Sequence, residues 1–241
     1  MITDSLTVAI KEWKEMLKGG SRGRTASLLL IAIYGIIFPL RVGRPWITGY
    51  QSIAFGIFVP FFLVFSVVAD AIAGERERHT LETLLASRLS DRAILLGKIA
   101  AVTLYGWGLA LASLLLGLIT VNVTQGGGIE LYPAKRAAAL VGFSLLVALL
   151  AAGIGVLASL RAATVRQAYQ TLTVSWLVAF FAAVFGIQQL SARTQHRLLD
   201  WLRGVGFGRA ALIVAAIVLL IDVLLFALAL VRFQRARLIL D

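Results

Sequence analysis

The sequence has 241 residues, of which 60% are hydrophobic and 15% are charged, and its mean hydropathy is +0.91. This composition excludes an ordinary soluble domain and predicts an all-α polytopic membrane protein, with residues 1–241 as a single transmembrane domain. The net charge of +11 then indicates basic loops beside a membrane and not a nucleic-acid site, and the lack of cysteine excludes disulfides and thiol catalysis.

The first predicted element is an amphipathic helix over residues 5–18. Its apolar side chains recur at steps of three and four residues, and they are Leu6, Ile10, Trp13 and Leu17. The charged side chains fall mostly on the opposite face, and they are Lys11, Glu12, Lys14, Glu15 and Lys18. The segment is too polar to span a membrane, so it is predicted to lie in the headgroup layer as an interfacial (elbow) helix.

Two membrane spans follow, predicted at about residues 25–40 and 51–73. The first is somewhat short for a hydrocarbon core of roughly 30 Å, so we expect it to include residues from its flanks. Between these spans, Trp46 and Tyr50 predict aromatic anchors in an outer loop.

The stretch Ala73–Lys98 is the one long polar interruption in the apolar sequence. Leucines recur within it at helical spacing, and they are Leu81, Leu84, Leu85 and Leu89. Thr80 is a reasonable N-cap with Glu82 in the first turn, and Ser90 is a second candidate N-cap for the helix that follows. The pattern predicts a short amphipathic helix at the membrane surface, although a solvated loop fits it equally well.

The same stretch carries a resemblance to a known family. The run is Glu75-Arg76-Glu77-Arg78-His79-Thr80-Leu81-Glu82-Thr83-Leu84-Leu85, followed by Ser90, Arg92 and Lys98. It resembles the first cytoplasmic loop of type-2 export permeases of the ATP-binding cassette (ABC) superfamily, which have six spans and no fused ATPase. In that family the loop carries a coupling helix that sits in a cleft of the ATPase subunit. His79 departs from the pattern, because the family commonly has glycine at this position.

The resemblance implies which residues contact the ATPase. These are Glu75, Arg78, Thr80, Leu81, Glu82, Leu84 and Leu85. It also implies a complex of two permease chains, identical or closely related, with two separate ATPase subunits. No cofactor is expected in this chain, since ATP and magnesium would be bound by the ATPase subunits.

Four further spans are predicted at about residues 99–123, 137–160, 168–190 and 210–231, with residues 191–208 forming a short helix in or near the outer leaflet. Asp222 lies midway along the last span, where a carboxylate is costly unless it faces protein, water or a partner. One interpretation makes it part of a proton or cation path. The other is a protonated or hydrogen-bonded side chain that fixes helix packing.

The distribution of basic residues predicts the topology. The side shared by both termini and the loop of residues 74–98 carries 15 of the 23 Lys and Arg residues, and the opposite side carries 8. Basic loops are retained in the cytoplasm, so both termini and this loop are predicted to be cytoplasmic in a multi-pass protein of the cell membrane.

The second and fifth spans are rich in aromatic residues. In the resembled family the equivalent spans of two protomers face each other across the transport path, which implies a largely apolar lining. The residues would be Phe58, Phe62, Phe65, Ser66, Thr173, Trp176 and Phe180. Such a lining suits an amphipathic or lipid-like cargo, but aromatic residues in membrane helices also commonly face lipid or pack between helices.

The sequence contains no motif for catalysis. Phosphate-binding loops, zinc-protease helices and nucleophile elbows are all absent, so the chain is not predicted to be an enzyme, and neither catalytic residues nor a metal site are proposed. The favoured function is the permease subunit of an ATP-driven exporter. The alternative is an ion-coupled carrier that works without an ATPase, which would normally show internal repeats and broken spans. An intramembrane enzyme is a weaker third option.

Overall fold

The computed structural model describes residues 2–18, 21–49, 51–80, 88–126, 128–191, 193–194, 197, 204 and 207–233, and every regular element in these ranges is helical. The elements are α1 (Ile2–Lys18), α2 (Ser21–Ala32), a π-helical turn (Ile33–Ile37), α3 (Phe38–Val42), α4 (Pro45–Thr48), α5 (Gln51–Val68), α6 (Asp70–Glu77), α7 (Asp91–Gln125), α8 (Ala134–Arg161), α9 (Val165–Gln189) and α10 (Phe207–Arg232). The all-α prediction is confirmed. The helix predicted after Thr80 falls outside these ranges.

Several of these helices can cross a membrane. Four stretches in the described ranges are long and apolar enough, and they are Gln51–Glu77, Asp91–Gln125, Ala134–Arg161 and Gly208–Arg232. A shorter apolar helix covers Ser27–Val42. Helix α9, with 25 residues, occupies the fifth predicted span. The chain is therefore a polytopic helical membrane protein.

The helical segment that contains the first predicted span is longer than the span itself at both ends, as we expected from its short apolar run. Helix α2, the π-helical turn and α3 follow one another without a gap from Ser21 to Val42, which is roughly 33 Å at 1.5 Å per residue. Within the π-helical turn, Gly35 packs so closely on α7 that a β-carbon there would lie 2.9 Å from Leu116 Cδ2. The hydroxyl of Thr120 donates to the Gly35 carbonyl at 2.8 Å. The Thr120 hydroxyl therefore supplies a hydrogen-bond donor to a backbone carbonyl where the hydrogen-bond pattern changes from α-helical to π-helical.

The second predicted span is divided between α5 and α6, which meet at Ala69. The side chain of Ser159, on α8, binds the backbone at this break. Its hydroxyl donates to the Ala69 carbonyl at 3.1 Å and accepts from the Ile72 and Ala73 amides at 3.2 and 2.8 Å. Polar backbone groups exposed by the break therefore have partners in the apolar interior. The direction of α6, which leads into the loop after Thr80, is thus linked to α8.

Helices α5, α7 and α8 form the centre of the molecule. Two glycines let them approach α5: a β-carbon at Gly106 of α7 would lie 2.3 Å from Val64, and one at Gly155 of α8 would lie 2.1 Å from Val68. Such distances are possible only without a side chain, so the buried cluster around Val64 and Val68 depends on both glycines. By contrast, only 6% of the most apolar 18-residue stretch of α10 is buried within the chain. Its outer face is left for lipid or another chain.

The environment of Trp46, in α4, shows that one prediction from the sequence is wrong. Trp46 is 1% exposed and packs against Phe55 with ring centroids 5.1 Å apart, so it belongs to the protein interior and is no surface anchor. Its indole donates to the hydroxyl of Tyr132 at 3.0 Å, and that hydroxyl donates to the Leu114 carbonyl at 3.2 Å. Burial raises the pKa of Tyr132 to about 12, which keeps the hydroxyl protonated and able to donate. Tyr50 lies outside the described residues.

Candidate functional site

The site begins where α6 ends, at the base of the polar loop. The amide of Thr80 donates to the Glu75 carbonyl at 2.9 Å, and the amide of His79 donates to the Arg76 carbonyl at 3.1 Å. His79 itself has a φ of 57°, in the left-handed region. Together these features form a Schellman helix end, in which glycine is the usual residue at the left-handed position. His79 therefore takes a conformation that glycine adopts more easily.

A buried network of charges lies beside this turn and centres on Lys98. The ammonium group of Lys98 is 2.5 Å from Glu12 Oε1 and 3.3 Å from Glu75 Oε1. Lys98 is 1% exposed and Glu75 is 5% exposed. Glu75 also accepts a short hydrogen bond from the Thr80 hydroxyl and has Lys11 Nζ at 3.9 Å. Charges this deeply buried are tolerated only because each has partners of opposite charge.

The network joins three separate parts of the chain. Glu12 comes from α1, Glu75 from α6 and Lys98 from α7. Helix α1 reaches α7 across Gly97, where a β-carbon would lie 2.6 Å from Val8 Cβ. The sequence pattern had placed Glu12 on the water-facing side of α1, and this is wrong, because a second face carrying Val8 and Glu12 packs on α7.

The acidic residues here also satisfy the spacing of a metal site, but a protein cation already occupies it. Carboxylate oxygens of Glu12, Glu15 and Glu75 lie within 4.8 Å of one another. The ammonium group of Lys98 binds two of these carboxylates, and Lys11 lies 3.5 Å from Glu15. We therefore describe the cluster as a network of ion pairs.

The next two charged residues of the loop base bind the other loop at this end of the molecule. Arg76 donates to the carbonyls of Ala162 and Leu160, at 2.6 and 3.3 Å, where α8 ends. Glu77 accepts from the Val165 amide at 3.0 Å, where α9 begins. These contacts satisfy backbone groups that a helix end leaves without intrahelical partners. Glu75, Arg76 and Glu77 therefore contact different neighbouring elements around α6.

Arg78 remains closer to the surface. It pairs with Asp70 of the same helix at 3.0 Å, and both side chains are about half exposed. Burial alone would lower the pKa of Arg78, but the hydrogen bonds and negative charge of Asp70 outweigh this and raise it. The remaining residues assigned to coupling, Leu81, Glu82, Leu84 and Leu85, lie outside the described residues.

Aromatic residues of the second and fifth predicted spans pack against each other within the one chain, with Trp176 at their centre. Its ring centroid lies 5.3 Å from Phe62, 6.5 Å from Phe58 and 5.1 Å from Phe180. Phe58, Phe62 and Phe180 remain partly exposed on one side of the chain, whereas Phe65 is buried. The hydroxyl of Thr173 donates to the carbonyl of Tyr169 at 2.9 Å. The side chain of Ser66 is outside the described part of the structure.

Asp222 is a buried acidic residue of α10. It is 2% exposed, and neither of its oxygens has a hydrogen-bond partner among the described residues. Helix α10 packs on α8 nearby, where Leu225 faces Gly153. An ionised carboxylate in such a place would be very unfavourable, so a neutral side chain within the helix contact fits this environment. No described basic group binds it as a relay would require.

Comparison with known proteins agrees with this architecture. The family model described as ABC-2 family transporter protein matches residues 46–232, from α4 to the end of α10. A comparison with curated proteins gave no match. The matched region covers the loop base, the aromatic cluster and most of the buried network. Permeases of the matched family lack an ATPase domain. The chain therefore belongs to the ABC-2 family of transporters, as a membrane permease of the ABC exporter type.

Proposed function

We propose that this permease forms the translocation path of an ATP-driven exporter and is coupled to a separate ATPase through residues 74–98. The observation that carries the proposal is the set of contacts made by the charged residues at the end of α6, which we call the loop base. Glu75, Arg76 and Glu77 bind α1, α7, the end of α8 and the start of α9. A displacement of the loop would therefore be transmitted directly to α1, α7, α8 and α9. Transmission of this kind is what an ATPase acting at the membrane surface needs.

The full arrangement we propose has six spans, with both termini and the loop in the cytoplasm. The distribution of basic residues supports this orientation. Helix α1 suits the headgroup layer, because Leu6 and Ile10 on its apolar face are 60% and 48% exposed while its second face packs on α7. In that position α1 lies between the membrane surface and the loop base.

Assembly gives the first test. We expect a tagged permease taken from its native membrane to carry an ATPase subunit, in a complex of two permease chains and two ATPase subunits, since each chain has a single coupling loop. The mass of the detergent-solubilised complex, measured together with its ATP hydrolysis, checks this. A lone chain that transports cargo with an ion gradient and no ATPase would contradict it and favour the ion-coupled carrier.

For the cargo, we propose an amphipathic or lipid-like molecule that contacts the aromatic cluster. In a dimer, the exposed sides of Phe58, Phe62 and Phe180 would form an apolar surface near the path. The cluster has few polar groups, whereas a bare ion needs several converging oxygens to replace its water.

We expect the double change Phe62→Ala with Trp176→Ala to reduce stimulation of ATP hydrolysis by amphiphiles and to leave the basal rate in place. Phe185→Ala is the matched control, because Phe185 lies on the other face of α9 and is also exposed. The readout is ATPase activity against a panel of amphiphiles and monovalent cations. Stimulation by cations alone, equal in all variants, would refute an aromatic cargo site.

A further inference from the structure

A cavity lies at the same end of the molecule as residues 75–80, between the ends of α8 and α10 and the start of α9. Its volume is about 330 Å³, within the range of small-molecule sites. Leu157 and Leu228 are among its apolar residues, and Arg161 and Arg232 provide two positive charges. The cavity is close to the level of the membrane surface, since Arg161 and Arg232 are at the ends of membrane helices.

The two arginines have no evident role among the residues that the structure describes. Neither forms an ion pair or hydrogen bond with the described residues. Basic residues near a helix C-terminus often interact with its free carbonyls, but Arg76 already binds the carbonyls of Leu160 and Ala162. Arg161 is therefore free for another partner. Two positive charges lining one cavity repel each other, and an anion between them would remove that repulsion.

We propose that this cavity binds the headgroup of an anionic phospholipid. The guanidinium groups of Arg161 and Arg232 would bind the phosphate, for which the planar, multidentate geometry of arginine is well suited. The acyl chains would follow the apolar side near Leu157 and Leu228. Basic pockets between membrane helices on the cytoplasmic side are suited to anionic lipid headgroups. Only the assignment to the cytoplasmic leaflet depends on the topology proposed above.

A lipid fits these observations better than free phosphate does. A soluble anion gains nothing from the leucine-lined wall, whereas a phospholipid uses both the charged and the apolar part of the cavity. The neighbouring surface of α10 is also left uncovered by the chain, with Leu228 43% exposed, so a lipid can enter from the bilayer.

The test is native mass spectrometry of the delipidated, full-length permease titrated with phosphatidylglycerol or with phosphatidylcholine of the same acyl chains. We expect one tightly bound phosphatidylglycerol per chain and weaker binding of phosphatidylcholine. The double change Arg161→Gln with Arg232→Gln should weaken the phosphatidylglycerol binding by at least about tenfold. Lysine at both positions should retain part of the affinity.

Two further variants separate the site from general effects. Arg166→Gln removes a charge from the same surface outside the cavity and should leave binding unchanged, while Thr171→Trp narrows the cavity with both arginines present and should weaken it. Wild-type affinity in the double glutamine variant would overturn the proposal, as would equal binding of phosphatidylcholine. Displacement by millimolar inorganic phosphate would assign the site to a free anion, and lipid loss on permease dimerisation would assign it to the second chain. Either result would also overturn it.

Discussion

Replacing Lys98 with methionine is expected to destabilise the permease by about 3 to 5 kcal/mol, because it leaves two buried carboxylates without their cation. Glu12 and Glu75 lie 2.5 and 3.3 Å from Lys98 Nζ, and both are shielded from solvent. Methionine preserves much of the side-chain volume, so the loss reports the missing charge and hydrogen bonds more than a cavity.

The chain provides a matched control for this change. Lys11→Met removes the same charge from a neighbour of the same Glu75, but Lys11 is 51% exposed. Exposed ion pairs contribute about 0 to 1 kcal/mol, so we expect a small effect. The measurement is the unfolding midpoint in detergent of wild type and both variants. Equal midpoints for Lys98→Met and Lys11→Met would show that the buried network does not carry the stability we assign to it.

A compensated variant separates charge from shape. Changing Lys98 to methionine together with Glu12→Gln and Glu75→Gln removes the buried charges of the network and leaves only the exposed pair of Lys11 and Glu15. We expect this triple variant to recover most of the lost stability, since no unpaired buried carboxylate remains. If it is no more stable than Lys98→Met alone, packing around Lys98 and not charge would explain the loss.

The second large effect is expected at Leu84. We expect Leu84→Asp to abolish stimulation of the ATPase and to leave membrane insertion intact. An apolar anchor buried in a partner's cleft contributes roughly 1.5 to 3 kcal/mol, more than an exposed ion pair, so the leucines should outweigh the charges around them. The measurement is ATP hydrolysis by the reconstituted complex, together with recovery of the permease from the membrane fraction.

Thr83→Asp serves as the control for this experiment. It introduces the same charge at the adjacent position, which lies elsewhere on the predicted helix. We expect it to retain most of the stimulation. Full ATPase association and stimulation in Leu84→Asp, or an equal loss in Thr83→Asp, would count against leucine docking in a cleft.

Local sequence signals predicted much of this architecture. The apolar runs located the membrane helices, and the Ser90 side chain does cap α7, accepting from the Ala93 amide at 3.3 Å. Helix α7 begins at Asp91, directly after this predicted cap, whereas the apolar span within it was predicted to begin at about residue 99. Apolar content identifies the part inside the bilayer, while the cap identifies where the helix itself begins. The contact of Phe62 with Trp176 within one chain was not predicted, because the family resemblance implied that these spans face each other between two chains.

The buried network could not be read from periodicity. Glu12 is one of six charged residues in α1, and nothing local distinguishes it from its neighbours on the polar face. Its partner Lys98 is 86 positions away, so their contact depends on tertiary packing. A weak signal was present in Gly97 beside Lys98, since a glycine within a helix permits the close approach of another element. Val8, one turn before Glu12, marks the same face of α1.

The separation of Glu12 and Lys98 also has a consequence for biosynthesis. A ribosome makes Glu12 first, then two spans and the polar loop, and only afterwards the lysine that this glutamate binds. Until then, α1 has no cation from α7 with which to close the buried contact. The order of synthesis therefore delays the docking of α1 until the base of α7 has been translated.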